Sequence, residues 1–348
     1  MRWANLAAPP AEGAPERAAP ATPPLPLALP GATVRTFDTP GFAGMTFYEV
    51  RAKSIINRVP GASRVPFEWT INPYRGCSHA CKYCFARNTH TYLDLDAGAD
   101  FDQKVIVKVN AGELVRRELA APRWRGAHIA MGTNVDCYQR AEGRYQLMPQ
   151  IIAALRDFAN PFSILTKGTL LLRDLPLLRQ AAEVTRVGVS YSVGFVDERL
   201  WRAVEPGTPS PRRRLDAVRT LTDAGFSVGV LMAPILPGLS DDDESIDATV
   251  AAVAAAGATS VSAIPLHLRP GAREWYANWL AREFPHLVPR YRELYRARSY
   301  APQAYQRELT ARVRIASRRH GMHRGERGES RDLPEPPSPP AAEQLTLL

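Results

Sequence analysis

Residues 67–87 read Phe67-Glu68-Trp69-Thr70-Ile71-Asn72-Pro73-Tyr74-Arg75-Gly76-Cys77-Ser78-His79-Ala80-Cys81-Lys82-Tyr83-Cys84-Phe85-Ala86-Arg87. The run 67–71 is short, apolar and rich in β-formers, then broken by Asn72-Pro73 and Gly76, so it predicts a buried strand followed by a loop. Three cysteines fall within the next eight positions. They would then sit at the C-terminal edge of a strand, which is where α/β barrels keep their chemistry.

Further apolar runs follow at 128–133, 162–167, 185–193, 226–235 and 259–266. Between them, apolar residues recur at helical spacing: Leu147, Ile151, Ile152, Leu155 and Phe158, then Leu215, Val218 and Leu221 before Gly225. The acidic run 241–244 suits a helix start that continues through Ile246, Val250 and Val253. A short extended piece at 105–109 precedes a helix-like stretch at 113–119, and 275–320 reads as helices packed on the main domain. Six strands alternating with helices predict parallel βαβ units wound in one sense. Periodicity alone leaves both a closed barrel and an open sheet possible.

Three thiolates in one tight loop can converge on a soft metal centre, either zinc or an iron–sulfur cluster. Spacing C-x3-C-x2-C without a fourth nearby cysteine suits a cluster with one iron left open to a ligand. The alternative is a Cys3His zinc site using His79 or His90. Cys77, Cys81 and Cys84, with Tyr83 before the last, resemble the C-x3-C-x-aromatic-C signature of radical S-adenosylmethionine (SAM) enzymes. The longer string, from Ala52-Lys53-Ser54 through 72–77 to Cys84-Phe85-Ala86-Arg87, resembles the spore-photoproduct-lyase-like branch, and within it an actinobacterial group of unassigned reaction.

The resemblance implies a partial (β/α)6 TIM-like barrel and a [4Fe–4S] cluster on the three cysteines. It implies SAM bound to the open iron, cleaved after one-electron reduction to a 5′-deoxyadenosyl radical that abstracts hydrogen from a substrate. An external reductant of flavodoxin or ferredoxin type is implied as well. Tyr83 would lie near the adenine, Lys167 would meet the methionine carboxylate, and Ser190 would contact the cofactor, with Ser192 as fallback. Many members carry Gly-Gly-Glu after the second strand. Here the loop reads Gly132-Thr133-Asn134-Val135-Asp136-Cys137, so Asn134 or Asp136 would take the methionine amine. Cys137 is a candidate hydrogen donor, although its position is displaced from the donor cysteine of the lyase; otherwise it is a buried small hydrophobe.

The chain has 348 residues, 31 prolines and a formal net charge of +9. Nine prolines lie in the first 40 residues and five in the last 15, which predicts disordered tails at 1–44 and 328–348 around a core barrel at 45–268. Between Arg269 and Arg327 there are 14 Arg and five Glu, an excess equal to the whole formal charge. This Arg-rich helical extension, 269–327, carries a stretch from Arg290 to Arg319 interleaved with Tyr291, Tyr295, Tyr300 and Tyr305. It offers either a grip on a nucleic-acid backbone or a solvated helix face. A nucleic-acid-binding or DNA-repair-like protein, with the cluster structural or acting on a nucleobase, is therefore the alternative function. No apolar run reaches membrane-span length, and no secretory leader is evident. Four cysteines are too few for a disulfide scaffold, so the expected location is the reducing cytoplasm.

Overall fold

The computed structural model describes residues 3–4, 29–60, 65–296 and 298–322. All six expected strands form: β1 (Trp69–Ile71), β2 (Ile129–Met131), β3 (Phe162–Thr166), β4 (Val187–Ser192), β5 (Val228–Ile235) and β6 (Ser260–Pro265). They lie side by side in chain order, every neighbouring pair parallel. Five helices make the crossovers: α1 (Ala111–Leu119), α2 (Leu147–Asp157), α3 (Leu175–Val184), α4 (Pro211–Asp223) and α5 (Asp243–Ala255). Each turns an apolar stripe inward; on α2 it is Leu147, Met148, Ile151, Ile152 and Leu155. The start of α5 is capped by Asp242, which accepts from the Ser245 N–H at 2.8 Å, with Asp243 and Glu244 in the first turn as the acidic run suggested.

The sheet does not close. Its β1 edge is covered by an antiparallel strand, Ile56–Arg58, and among the described residues β6 pairs with no strand beyond β5. The architecture is therefore an open α/β barrel, as expected for the partial form.

A second sheet was not anticipated. Thr46–Ala52 is its centre, parallel to Lys104–Lys108 and antiparallel to Thr33–Arg35 and Trp3–Ala4, while Tyr74–Arg75 pairs antiparallel with the other side of Lys104–Lys108. The 105–109 piece thus belongs here and not to the barrel. The expected tail 1–44 needs a corresponding correction. Thr33–Arg35 is a strand, and Leu29, 1% exposed, packs with Tyr48 and Val50. A three-residue edge strand has no measurable period, and the proline-rich composition around it masks it. Residues 5–28 and 323–348, where most of the expected tails fall, lie outside the described residues.

The C-terminal segment forms α6 (Ala272–Glu283), α7 (Val288–Tyr295) and α8 (Gln303–Arg319), and α8 packs on α5 and β6. It is stitched to the barrel by the Tyr295 hydroxyl donating to the Leu266 carbonyl at 2.7 Å and by the Leu268 N–H on the Ser299 carbonyl at 2.7 Å. Among the described residues no helix is long and apolar enough to cross a membrane.

Candidate active site

The cysteine loop leaves the top of β1 and is held from four sides. Gly76 sits at φ +84°, and a Cβ there would come within 2.7 Å of the Lys104 carbonyl oxygen, so the left-handed turn and the close approach both demand glycine. The Cys77 N–H then donates to the Phe101 carbonyl at 2.9 Å. Gln139, fully buried, grips the loop twice: its Oε1 accepts from the Ser78 N–H at 3.0 Å and its Nε2 donates to the Gly76 carbonyl at 2.9 Å. From the β4–α4 connection, the Val204 carbonyl accepts from Lys82 N–H at 2.9 Å and Gly207 N–H donates to the His79 carbonyl at 3.1 Å. A Cβ on Gly207 would lie 2.0 Å from the Ser78 carbonyl oxygen. Gly207→Ala is accordingly expected to cost about 1–3 kcal/mol through overpacking and to lower iron loading, read by thermal melting and iron analysis.

Cys77 and Cys81 are buried, Cys84 is half-buried, and all three are free thiols. Burial pushes Cys77 well above the ordinary thiol value, with Asp136, Cys81 and Cys84 adding to it. It pushes Cys81 to about 12, where Glu205 adds and Lys167 opposes, and it raises Cys84 against the nearby Arg87 charge. Such surroundings disfavour bare thiolates and suit ligands whose charge is neutralised by bound metal. Among the described residues no three His, Cys, Asp or Glu side chains are already drawn into a closed coordination set. The three thiols of one loop are a sulfur donor set that fits a soft metal centre. Of the two candidate rings, His79 places Nδ1 3.4 Å from Asp136, and the buried His90 places Nε2 2.8 Å from the Lys104 carbonyl.

Beside the thiols, side chains from the cysteine loop, the ends of β3 and β4, and the segment that leads into and begins α4 form a largely buried polar network. The Tyr83 hydroxyl donates to Glu205, which forms a fully buried ion pair with Arg214, each side chain 1% exposed. Arg214 also donates from Nη1 to the Ser192 carbonyl at 2.8 Å and from Nε to the Pro209 carbonyl at 2.9 Å. Ser192 Oγ accepts from Lys167 Nζ at 2.8 Å and lies 2.9 Å from the Ala233 carbonyl, to which it donates. Lys167 Nζ in turn stands 5.7 Å from the centroid of the Tyr83 ring. Tyr83, Lys167 and Ser192 thus share one network. Ser190 is half-buried two residues earlier, and Lys167 bonds the serine that had been the fallback. Glu205 and Arg214, which brace the group, carry no local signal in the sequence.

Asp136 is committed to the backbone. Its carboxylate accepts from Thr166 Oγ1 at 2.6 Å, Lys167 N–H at 2.7 Å and Tyr138 N–H at 2.9 Å. Burial would raise its pKa, but His79 and these hydrogen bonds outweigh burial and hold it at about 2. Asn134 is exposed at the turn of the same loop. Cys137 is wholly buried within the main apolar core, beneath the cysteine loop near Cys77.

The arginine stretch is partly spent internally. Arg290 pairs with Asp241 at 2.6 Å, Arg312 with Asp243 at 2.7 Å and Arg319 with Asp247 at 2.6 Å, all at the start of α5. Tyr291 and Tyr295 are buried, whereas Tyr300 is exposed and stacks on His267, with ring centroids 5.5 Å apart. Arg292, Arg296, Arg298, Arg307 and Arg314 remain exposed.

An uncharacterized protein of Mycobacterium tuberculosis is 52% identical over 290 residues, which cover 82% of this chain and 85% of that protein. An uncharacterized protein of Methanocaldococcus jannaschii is 30% identical over 203 residues, covering 58% and 72% respectively. Among solved structures, spore photoproduct lyase with bound AdoMet and dinucleoside spore photoproduct superposes with a TM-score of 0.59 at 16% identity, over 78% of both chains. That likeness is one of fold. The family model described as the Radical SAM superfamily matches residues 71–249. With that match spanning more than half its length, and the cysteine loop inside it, this chain belongs to the radical SAM superfamily and is an enzyme of that class.

Proposed function

We propose that the protein holds one [4Fe–4S] cluster on Cys77, Cys81 and Cys84 and binds SAM beside it, against Tyr83, Lys167 and Ser192. The observation that carries this reading is the shared network of those three residues, braced by the buried Glu205–Arg214 pair. The chemistry supplied when both groups are bound is reductive cleavage of the sulfonium, giving a 5′-deoxyadenosyl radical that abstracts hydrogen from a substrate. The protein's share is binding, orientation and exclusion of water. Lys167 spends one of its three donors on Ser192, which leaves donors for a carboxylate. Asp136 pins the Lys167 backbone N–H and so fixes where that side chain leaves β3. Tyr83, with its hydroxyl tied down, presents a ring face of set orientation for an adenine.

Enzymes of this superfamily need an external one-electron reductant, and a flavodoxin or ferredoxin type fits here. Anaerobic reconstitution is expected to give about four irons per chain and, with dithionite, 5′-deoxyadenosine. Lys167→Met should weaken SAM binding about tenfold to a hundredfold, as expected for one lost charge-assisted hydrogen bond. One zinc per chain and no cleavage of SAM would overturn the reading.

A nucleobase-bearing substrate is favoured by one observation. Phe85, next to Cys84, packs at a tilt against His267 at 5.4 Å, His267 stacks on the exposed Tyr300, and Arg269 lies 5.2 Å over the Phe85 ring. Aromatic faces beside a cation suit stacked bases and phosphate. Salt-dependent binding of a short single-stranded oligonucleotide, lost in Tyr300→Ala, tests it.

A further inference from the structure

Arg87 is a fully buried charge just beyond the cysteine loop. It is 0% exposed, three residues after Cys84, and lies between two aromatic faces, Phe101 at 5.3 Å and Trp275 at 4.7 Å. Its Nη2 donates to the Cys81 carbonyl at 3.0 Å and to both oxygens of Asp102 at 2.8 and 3.0 Å; its Nη1 donates to the Gly98 carbonyl at 2.8 Å. Its Nε is buried with no partner.

A guanidinium stays charged under all ordinary conditions, and burying one is costly unless its charge is used. Four acceptors hold this one in place, while its aromatic faces keep water, and hence screening, away. It donates to the backbone of one predicted cluster ligand, Cys81, and follows another, Cys84, by three residues. Asp102, at the other end of the guanidinium, has a side chain 13% exposed, so the negative partner reaches water and the positive one does not.

We infer that Arg87 is a positioning residue that raises the reduction potential of the metal cluster carried by the 77–84 loop, with Asp102 as its counterweight. The inference rests on the proposed [4Fe–4S] site. The couple is a one-electron reduction of the cluster from the 2+ to the 1+ state, the electron coming from the external one-electron carrier. No bond or proton changes place. The cluster with its three thiolates gains a further negative charge in that step, which a fixed cation stabilises.

The test is an EPR-monitored redox titration of the anaerobically reconstituted full chain without SAM. Arg87→Met should lower the equilibrium constant for reduction about tenfold, a shift of about 59 mV for one electron. Arg87→Lys, which keeps the charge, should stay within about threefold of wild type. Asp102→Asn should move the potential upward, and it decides the matter if Arg87→Met does not hold iron. Loss of iron or a lower melting temperature with an unmoved potential in Asp102→Asn or in loaded Arg87→Met would show a merely structural arginine and overturn the inference. Failure of the wild type to take up a [4Fe–4S] cluster would instead overturn the site itself.

Discussion

Arg214→Met is expected to destabilise the fold by about 3–5 kcal/mol, the usual cost of stripping one partner from a buried ion pair. Methionine matches the arginine stem in length but leaves the Glu205 carboxylate, 1% exposed, with the hydroxyls of Tyr83 and Thr208 and the more distant Lys167 charge to stabilise it. The carbonyls of Ser192 and Pro209 lose their donor in the same step. Adding Glu205→Gln should recover at least half of the loss, because the neutral amide needs no counter-charge. Urea unfolding of the single and double variants measures both numbers. A single-variant cost below about 1 kcal/mol would mean that water reaches the pair and that it does not brace Tyr83 and Ser192.

Removing any one of Cys77, Cys81 or Cys84 is expected to abolish both iron uptake and 5′-deoxyadenosine formation. A cluster that leaves one iron open needs three protein ligands, and two thiols cannot supply them. Cys137→Ala makes the contrast. Its thiol sits in the apolar core, so the change should cost about 1 kcal/mol and leave the iron content intact. Iron and sulfide analysis with absorption spectra of the four reconstituted variants checks the set. Retained iron in Cys81→Ala, or lost iron in Cys137→Ala, would reassign the ligands.

The barrel was legible in the sequence because each of its strands is a short apolar run set off by Gly, Pro or an acidic helix start. The second sheet was not. Thr46–Ala52 is buried at most positions on both sides, so it lacks alternation, and its Glu49 is hidden by Arg35 at 3.4 Å and the Tyr145 hydroxyl at 3.0 Å. Tyr74–Arg75, which pairs with Lys104–Lys108, is only two residues long. The cysteine triad could be read because its chemistry is local. Glu205, Arg214 and Gln139 could not, since each acts on residues 9–122 positions away in the chain. Asp136, an acid in the loop expected to meet the cofactor, also accepts from the Lys167 and Tyr138 N–H groups and the Thr166 hydroxyl, contacts that no local pattern shows.

The pairing of Tyr74–Arg75 with Lys104–Lys108 joins both stems of the cysteine-bearing excursion. Closing a loop of that length costs entropy, and here backbone pairing, not metal, offsets it. The chain is therefore expected to fold before metal arrives, unlike a zinc finger that collapses only around its ion. Delivery of the proposed cluster would then be a late, local event on a finished protein. Oxygen damage to the metal should likewise leave behind an intact scaffold that can be refilled rather than a chain that must be degraded and made again.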